Sequence, residues 1–376
     1  MAVVGAKTGF ALSWLVILVY PMLASVQLIA SEIGLRARSG LQELVRKRFG
    51  WRWGLLLLVS VLAVNITTLG ADLEAGAAAL GLLFHRPQSW FVIPLGAALF
   101  LILLLDSYDD VERVLKYVLL VFLAYVAAAF LARPSWGAVL SATVWPQISR
   151  NPDYVAAALA ILGTTLTSYS YVWETQGQAE RERSVEQLRL ARIEAGLGML
   201  VAVATFWFIL IATGATIGAH HQNVDTPEQA AQALRPFAGP LASDLFGIGL
   251  LASSLIAVPV LAATTSYLLC QQFEWPAGLS RPVSEARRFY SIIGVALALG
   301  VVISLVGLPT ISLLFAASLV AGLATPIGLI FLMLIAHQPQ ILGGHRVSWR
   351  LKVAGWATTI LVSGASLIFI VQQLFR

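Results

Sequence analysis

Long apolar runs, separated by short clusters of charge, recur from one end of the chain to the other. Runs of about 18 residues or more with few charges read as membrane-spanning helices. They predict ten spans, at roughly 10–33, 53–84, 91–105, 113–132, 154–178, 190–218, 240–270, 289–306, 310–336 and 351–374. The third is short for a span. The fifth departs from the pattern in another way. It contains Gly163-Thr164-Thr165-Leu166-Thr167-Ser168-Tyr169-Ser170-Tyr171, a run of hydroxyls where lipid-facing helices carry aliphatic residues. Ser and Thr bond to nearby backbone and loosen a helix. Non-helical backbone at membrane depth is tolerated where it is buried in protein or lines a cavity. The run therefore predicts a broken helix, the element on which many secondary transporters build an ion site. A polar helix–helix contact has a similar composition and stays open as a reading.

The connections carry less pattern. Residues 36–51 place Leu41, Leu44, Val45 and Phe49 near helical spacing, which predicts a short amphipathic helix at the membrane surface. Residues 133–153 read as a loop with Pro134, Pro146 and Pro152, and with Trp136 and Trp145 suited to the interface. Residues 219–240 read as the longest loop on that side. Its His220, His221 and Asp225 have metal-ligand chemistry, although an exposed His pair is more often plain loop.

Composition fixes the class. Of 376 residues, 59% are hydrophobic and 11% charged, with a mean hydropathy of +0.83. A soluble domain carries about 25% charged residues. The chain is therefore expected to be an all-α polytopic membrane protein whose first partner is the lipid bilayer. Its single cysteine, Cys270, can form neither an internal disulfide nor a thiolate metal site. The net charge of +5 is explained by topology rather than by nucleic acid. One set of alternate loops holds most of the 24 Lys and Arg residues; the other set holds only Lys7, Arg86, Arg133, Arg150, Arg235 and Arg376. The positive-inside rule then puts both termini outside. The first ten residues lack a signal-peptide pattern. A span preceding residue 1 would restore an inside N-terminus. Repeat logic points the same way: if the broken fifth span opens one inverted half, its counterpart falls before Met1. No HExxH, GxSxG or paired intramembrane Asp pattern suggests an enzyme, and no cofactor is implied.

Six runs, taken together, carry a resemblance to a known family. They are Gly5-Ala6 through Tyr20-Pro21, Asn65 through Asp72-Leu73, Ser107-Tyr108 through Leu115-Lys116-Tyr117, and Gly163-Thr164-Thr165. Further along, Ala257-Val258-Pro259-Val260-Leu261-Ala262 and Ile335-Ala336-His337 through Gly355-Trp356-Ala357 continue the match. No one motif is diagnostic; in their order over ten spans they resemble the Nramp divalent-metal transporters, in particular the bacterial branch that includes Nramp-related magnesium transporters. It implies a LeuT-like inverted-repeat fold of eleven helices, with the family's first helix and its Asp-Pro signature lacking a counterpart here. Residues 1–153 would be an incomplete first repeat, 154–336 the second repeat, and 351–374 an extra C-terminal helix, all in one transmembrane domain spanning 1–376.

The resemblance also assigns a site. Thr164 would offer a backbone oxygen to the metal, and Thr167 stands where most members carry a metal-binding Met. Ser168 and Tyr169 stand at the family's Pro and His. A thioether selects softer metals, whereas hydroxyl and carbonyl oxygens suit harder ions such as Mg²⁺ and Mn²⁺. A competing reading has Thr167 simply bonding the unwound backbone. Asn65, Thr68, Glu174 and Thr325 are expected along the substrate pathway. Asp72 matches a carboxylate associated with proton movement, while the place three residues on is Ala75. Arg287 and Arg288 match a basic pair that would either face Asp72 or anchor the cytoplasmic interface. Tyr169, with a reference pKa of about 10, is a poor proton carrier near neutral pH, so proton symport stays open. The implied function is secondary transport of a divalent cation across the inner (plasma) membrane by alternating access. The alternatives are a transporter of the same architecture for an organic substrate such as an amino acid, and a non-transporting remnant. The sequence specifies no oligomeric state.

Overall fold

The structure, a computed structural model, describes residues 1–105, 122–180, 185–220 and 224–375, and among them the repeating elements are helices. In chain order these are α1 (Ala2–Thr8), α2 (Ser13–Ala37), α3 (Leu41–Phe49), α4 (Trp51–Phe84), α5 (Ser89–Leu104), α6 (Ala124–Leu131), α7 (Trp136–Val144) and α8 (Pro152–Thr165). There follow α9 (Ser168–Glu180), α10 (Val185–Thr216), the short α11 (Pro227–Ala231) and α12 (Arg235–Ala238), then α13 (Ala242–Phe273), α14 (Arg287–Ser304), α15 (Thr310–Ala336) and α16 (Trp349–Leu374).

Eight segments among the described residues are long and apolar enough to cross a bilayer, and Ser89–Leu104 is a shorter apolar helix. Together they account for nine of the ten expected spans. The tenth, 113–132, is described only from residue 122 onward, so Arg113, Lys116 and the run from Ser107 to Tyr117 lie outside the described residues. So do Arg181, Arg183 and His221. Two expected loops are partly helical. Residues 133–153 contain α7, and 219–240 contain α11, whose Thr226 and Gln229 form a reciprocal capping box. The amphipathic segment is α3, with Leu41, Leu44 and Val45 buried.

The helix ends follow local chemistry. Asn151 caps α8 by accepting from Asp153 N at 2.9 Å, with Pro152 in the first turn, where its missing N–H costs nothing. Pro21, Pro259 and Pro326 lie inside α2, α13 and α15, each removing one backbone hydrogen bond. The helix α4 is the hub. It packs chiefly on α13, α15 and α14.

Two large apolar clusters result. One joins Val26, Ile29 and Ile33 of α2 to Leu166, Tyr171 and Val172 around the broken segment, and to Leu329 and Leu332 of α15. The other joins Leu69 and Leu73 of α4 to Leu99 of α5, Val258 of α13 and Phe289 of α14. Because α9 sends Tyr171 and Val172 into the first cluster and Tyr169 and Trp173 against the second, the break sits between them.

Candidate functional site

The fifth predicted span ends as a helix at Thr165 and restarts at Ser168, leaving Leu166 and Thr167 outside regular structure. Leu166 N still reaches Leu162 O at 2.9 Å, closing α8. No backbone donor among the described residues returns to the carbonyls of Gly163, Thr164 or Thr165. These are the free acceptors that a helix C-terminus leaves. The C-terminal end of α8 and the N-terminal end of α9 thus meet at one point, the first carrying partial negative charge and the second partial positive charge. Such an end can receive a cation.

The hydroxyls divide into two kinds. Thr165 Oγ1 turns back onto Ile161 O, and Ser170 Oγ donates to Thr167 O at 2.9 Å. These two serve the backbone. Thr167 Oγ1 and Ser168 Oγ do not: both are buried and neither has a hydrogen-bond partner. The reading in which Thr167 bonds the unwound backbone therefore fails; that task belongs to Ser170. Across from the break, Thr325 Oγ1 of α15 is likewise fully buried and unpartnered. Leaving a buried hydroxyl unpaired costs about 1–3 kcal/mol, so three in one neighbourhood mark a place adapted to something other than its own packing.

Close packing holds the break against α15. A Cβ at Gly163 would overlap the backbone of Ser318 and Gly322, and one at Gly328 would overlap the Tyr171 hydroxyl. With that room, Tyr171 Oη donates to Thr325 O at 3.3 Å. Ser60 of α4 donates to the adjacent Ala324 O at 3.0 Å. Pro326 follows, so α15 is locally weakened where it faces the break. From α2, Gln27 Nε2 donates to Ser170 Oγ at 3.2 Å, completing a chain from Gln27 through Ser170 to the Thr167 carbonyl. Gln27, Ser60, Ser170 and Tyr171 were not foreseen as site residues. A lone amide in an otherwise apolar span was the available signal for Gln27.

The other expected residues divide. Thr164 is exposed, in contrast to Thr165–Ser168, which are buried. Tyr169 is half-buried against the second cluster, within electrostatic reach of the half-buried Asp72 carboxylate. Thr68 is also half-buried. Asn65 is wholly buried; its Nδ2 donates to Thr265 Oγ1 of α13 at 3.1 Å, while its Oδ1 has no partner. Glu174 accepts from Gln178 at 3.0 Å.

Arg287 and Arg288 are exposed, and neither forms an ion pair with Asp72. Gly300 and Ile303 of α14 pack against Leu69 and Gly70 of α4. The arginines consequently lie about 20 Å further down α14 at 1.5 Å per residue. Arg288 instead stacks on Trp275, 4.6 Å from its ring centre.

At the end of the molecule carrying the basic loops, α3, α9 and α13 are tied together. Leu41 N donates to Thr175 Oγ1 at 3.3 Å, Gln271 donates to Gln176, and Tyr267 Oη donates to Glu180 Oε2 at 3.3 Å. Gln42 Nε2 spans Gln272 Oε1 and Gly54 O at 2.7 and 2.8 Å. Arg46 pairs with Glu274. No group of three or more His, Cys, Asp or Glu side chains able to hold a metal occurs among the described residues.

Comparison with known proteins agrees with this arrangement. The model of the family described as "Natural resistance-associated macrophage protein-like" matches residues 1–372. The divalent metal cation transporter MntH of Deinococcus radiodurans is 25% identical over 371 residues, covering 95% of this chain and 82% of that protein. MntH of Verminephrobacter eiseniae is 27% identical over 358 residues, covering 91% and 77%. Among solved structures, the Eremococcus coleocola manganese transporter, in complex with an aromatic bis-isothiourea substituted compound, superposes with a TM-score of 0.75 at 20% identity, over 98% of this chain and 81% of that one. MhsT in complex with L-phenylalanine superposes with a TM-score of 0.61 at 16% identity, over 98% and 96%. At these identities the two structures establish the shared fold.

Proposed function

Since the chain belongs to the natural resistance-associated macrophage protein-like (Nramp) family, we propose that it carries a divalent metal cation across the membrane by alternating access around the break between α8 and α9. The observation that carries this reading is the coincidence of free carbonyls at the end of α8 with three buried, unpartnered hydroxyls, those of Thr167, Ser168 and Thr325. The relatives named divalent metal cation transporters support the substrate class. In this reading the Thr164 carbonyl and the Thr167 hydroxyl contact the cation. Ser168 and Thr325 complete an oxygen surround, and Gln27 and Ser170 fix the Thr167 carbonyl. Tyr169, Thr68 and Glu174 lie along the path. Asp72 is the group available to exchange a proton. Asn65, whose Oδ1 is buried and unpartnered, keeps its place on the path, whereas Arg287 and Arg288 stand away from Asp72.

The donor set is all oxygen and lacks any thioether, so hard ions such as Mn²⁺ and Mg²⁺ are favoured over Cd²⁺. Neutral oxygens also suit an ion that keeps part of its water shell, as Mg²⁺ does. Titration calorimetry on the purified protein tests the assignment. Thr167→Val keeps the shape and removes one oxygen, and is expected to weaken Mn²⁺ binding about ten-fold, the loss of one hydrogen-bond-sized contact. Unchanged affinity removes Thr167 from the ion's contacts.

A further inference from the structure

A second polar cluster lies away from the break, at the end of the molecule opposite the basic loops. Glu74 of α4 is 1% exposed. Its Oε1 accepts from Gln88 Nε2 at 2.7 Å, and its Oε2 from Ser304 Oγ at 2.9 Å. Thr310 Oγ1 stands 3.4 Å from Glu74 Oε1 and 3.5 Å from Gln88 Oε1. Four helices contribute, because Gln88 precedes α5, Ser304 ends α14 and Thr310 opens α15. Among the described residues, no Lys, Arg or His forms an ion pair with Glu74.

Neutral donors satisfy the lone pairs of a carboxylate but leave its charge. A buried charge without a counter-charge is costly, and in a membrane protein it ordinarily has a partner or a function. The groups around Glu74 are suited to a partner that comes from solution. Hydroxyls rotate, and an amide turned over offers oxygen in place of N–H. The same four side chains can then present carboxylate, amide and two hydroxyl oxygens to one point. Gln88 is exposed, so it covers the carboxylate on its solvent side and can swing to admit an ion. One carboxylate balances one positive charge; a divalent ion there would leave an excess charge in a low-dielectric site. All-oxygen donors suit hard cations.

We propose that Glu74, Gln88, Ser304 and Thr310 form a holding site for one small monovalent cation, sodium being the ion whose charge and oxygen preference they match. Occupancy of this site ties α4 and α5 to α14 and α15. The proposal does not rest on the transport reading, and its test involves no flux.

The protein in neutral-lipid nanodiscs is melted in NaCl and in choline chloride at equal ionic strength. Sodium is expected to raise the Tm saturably, by roughly 2–5 °C when the ion is far above its Kd. The rise is expected to vanish in Glu74→Gln, which keeps the volume and the hydrogen-bonding atoms. Binding of ²²Na⁺ to the same nanodiscs is the second measurement. There Gln88→Ala, at an exposed position outside the packed helices, is expected to weaken sodium several-fold while the protein remains folded. A Tm equal in the two salts, or a sodium rise that survives Glu74→Gln, overturns the proposal. So does a response that follows pH and ignores sodium, since the neutralising charge is then a proton.

Discussion

The Thr167 and Ser168 side chains are buried without partners, while Thr165 and Ser170 to either side bond the backbone. Four hydroxyls that look alike in the sequence thus have two different jobs. Sequence composition could locate the group but could not sort it, since the sorting depends on which oxygen meets a carbonyl after the helix breaks. If Thr167 faces the cation, replacing its hydroxyl by a thioether changes ion preference rather than only weakening binding. Thr167→Met is predicted to raise the ratio of Cd²⁺ to Mg²⁺ affinity by an order of magnitude or more, read by competition titration. A parallel loss for both ions would mean that the site had merely been disturbed.

At the scale of the element, the α8–α15 contact fixes the position of the break. The α8–α15 contact is tight at Gly163, whose Cβ position is taken by the Ser318–Gly322 backbone. Gly163→Ala is predicted to cost about 1–3 kcal/mol through this overlap, seen as a fall of several degrees in the detergent melting curve. A neutral melt would mean that α15 can move aside there.

The α3 surface helix has its own electrostatic signature. Burial alone would raise the Glu43 carboxyl, yet hydrogen bonds from Lys47 and Ser39 and the charges of Lys47 and Arg46 hold it below its ordinary value. A carboxyl whose folded value is depressed stabilises the fold above its unfolded value, about 4.5, and loses that contribution as the pH falls through the folded value. Glu43→Gln is therefore predicted to melt slightly lower than the parent at pH 7 and to converge with it in acid, once the pH has fallen through the folded value. A gap that persists in acid would assign the effect to packing.

Much of this level was legible in advance. The apolar runs located the long helices, and the spacing of Leu41, Leu44 and Val45 located α3. The helices α7 and α11 were missed because, at nine and five residues, they are too short to show the long apolar stripe on which such a reading depends.

At the scale of the molecule, the break lies between two apolar clusters, with Tyr171 and Val172 packed into one and Tyr169 and Trp173 against the other. A segment shared in this way can be exposed to either side when one cluster tilts against the other, which is what alternating access requires. The Nramp resemblance supplied the architecture; the structure adds that, at the end nearest the basic loops, Gln42 bonds Gln272 and Gln271 bonds Gln176. Proton coupling belongs to this scale too. If Asp72 exchanges protons during the cycle, internal pH should fall as metal enters, and Asp72→Asn should abolish the pH change at a retained flux. A pH change that survives in Asp72→Asn would assign the proton to another group.

The central claim is that a hard divalent cation crosses at the break. Its most direct test is uptake of Mn²⁺ and Mg²⁺ into proteoliposomes containing the purified protein, with Thr167→Val alongside. Saturable uptake of at least one of the two ions by the parent, with a raised KM in the variant, is expected. Absence of divalent uptake under any imposed ion or pH gradient, in protein that is folded and inserted, would contradict it.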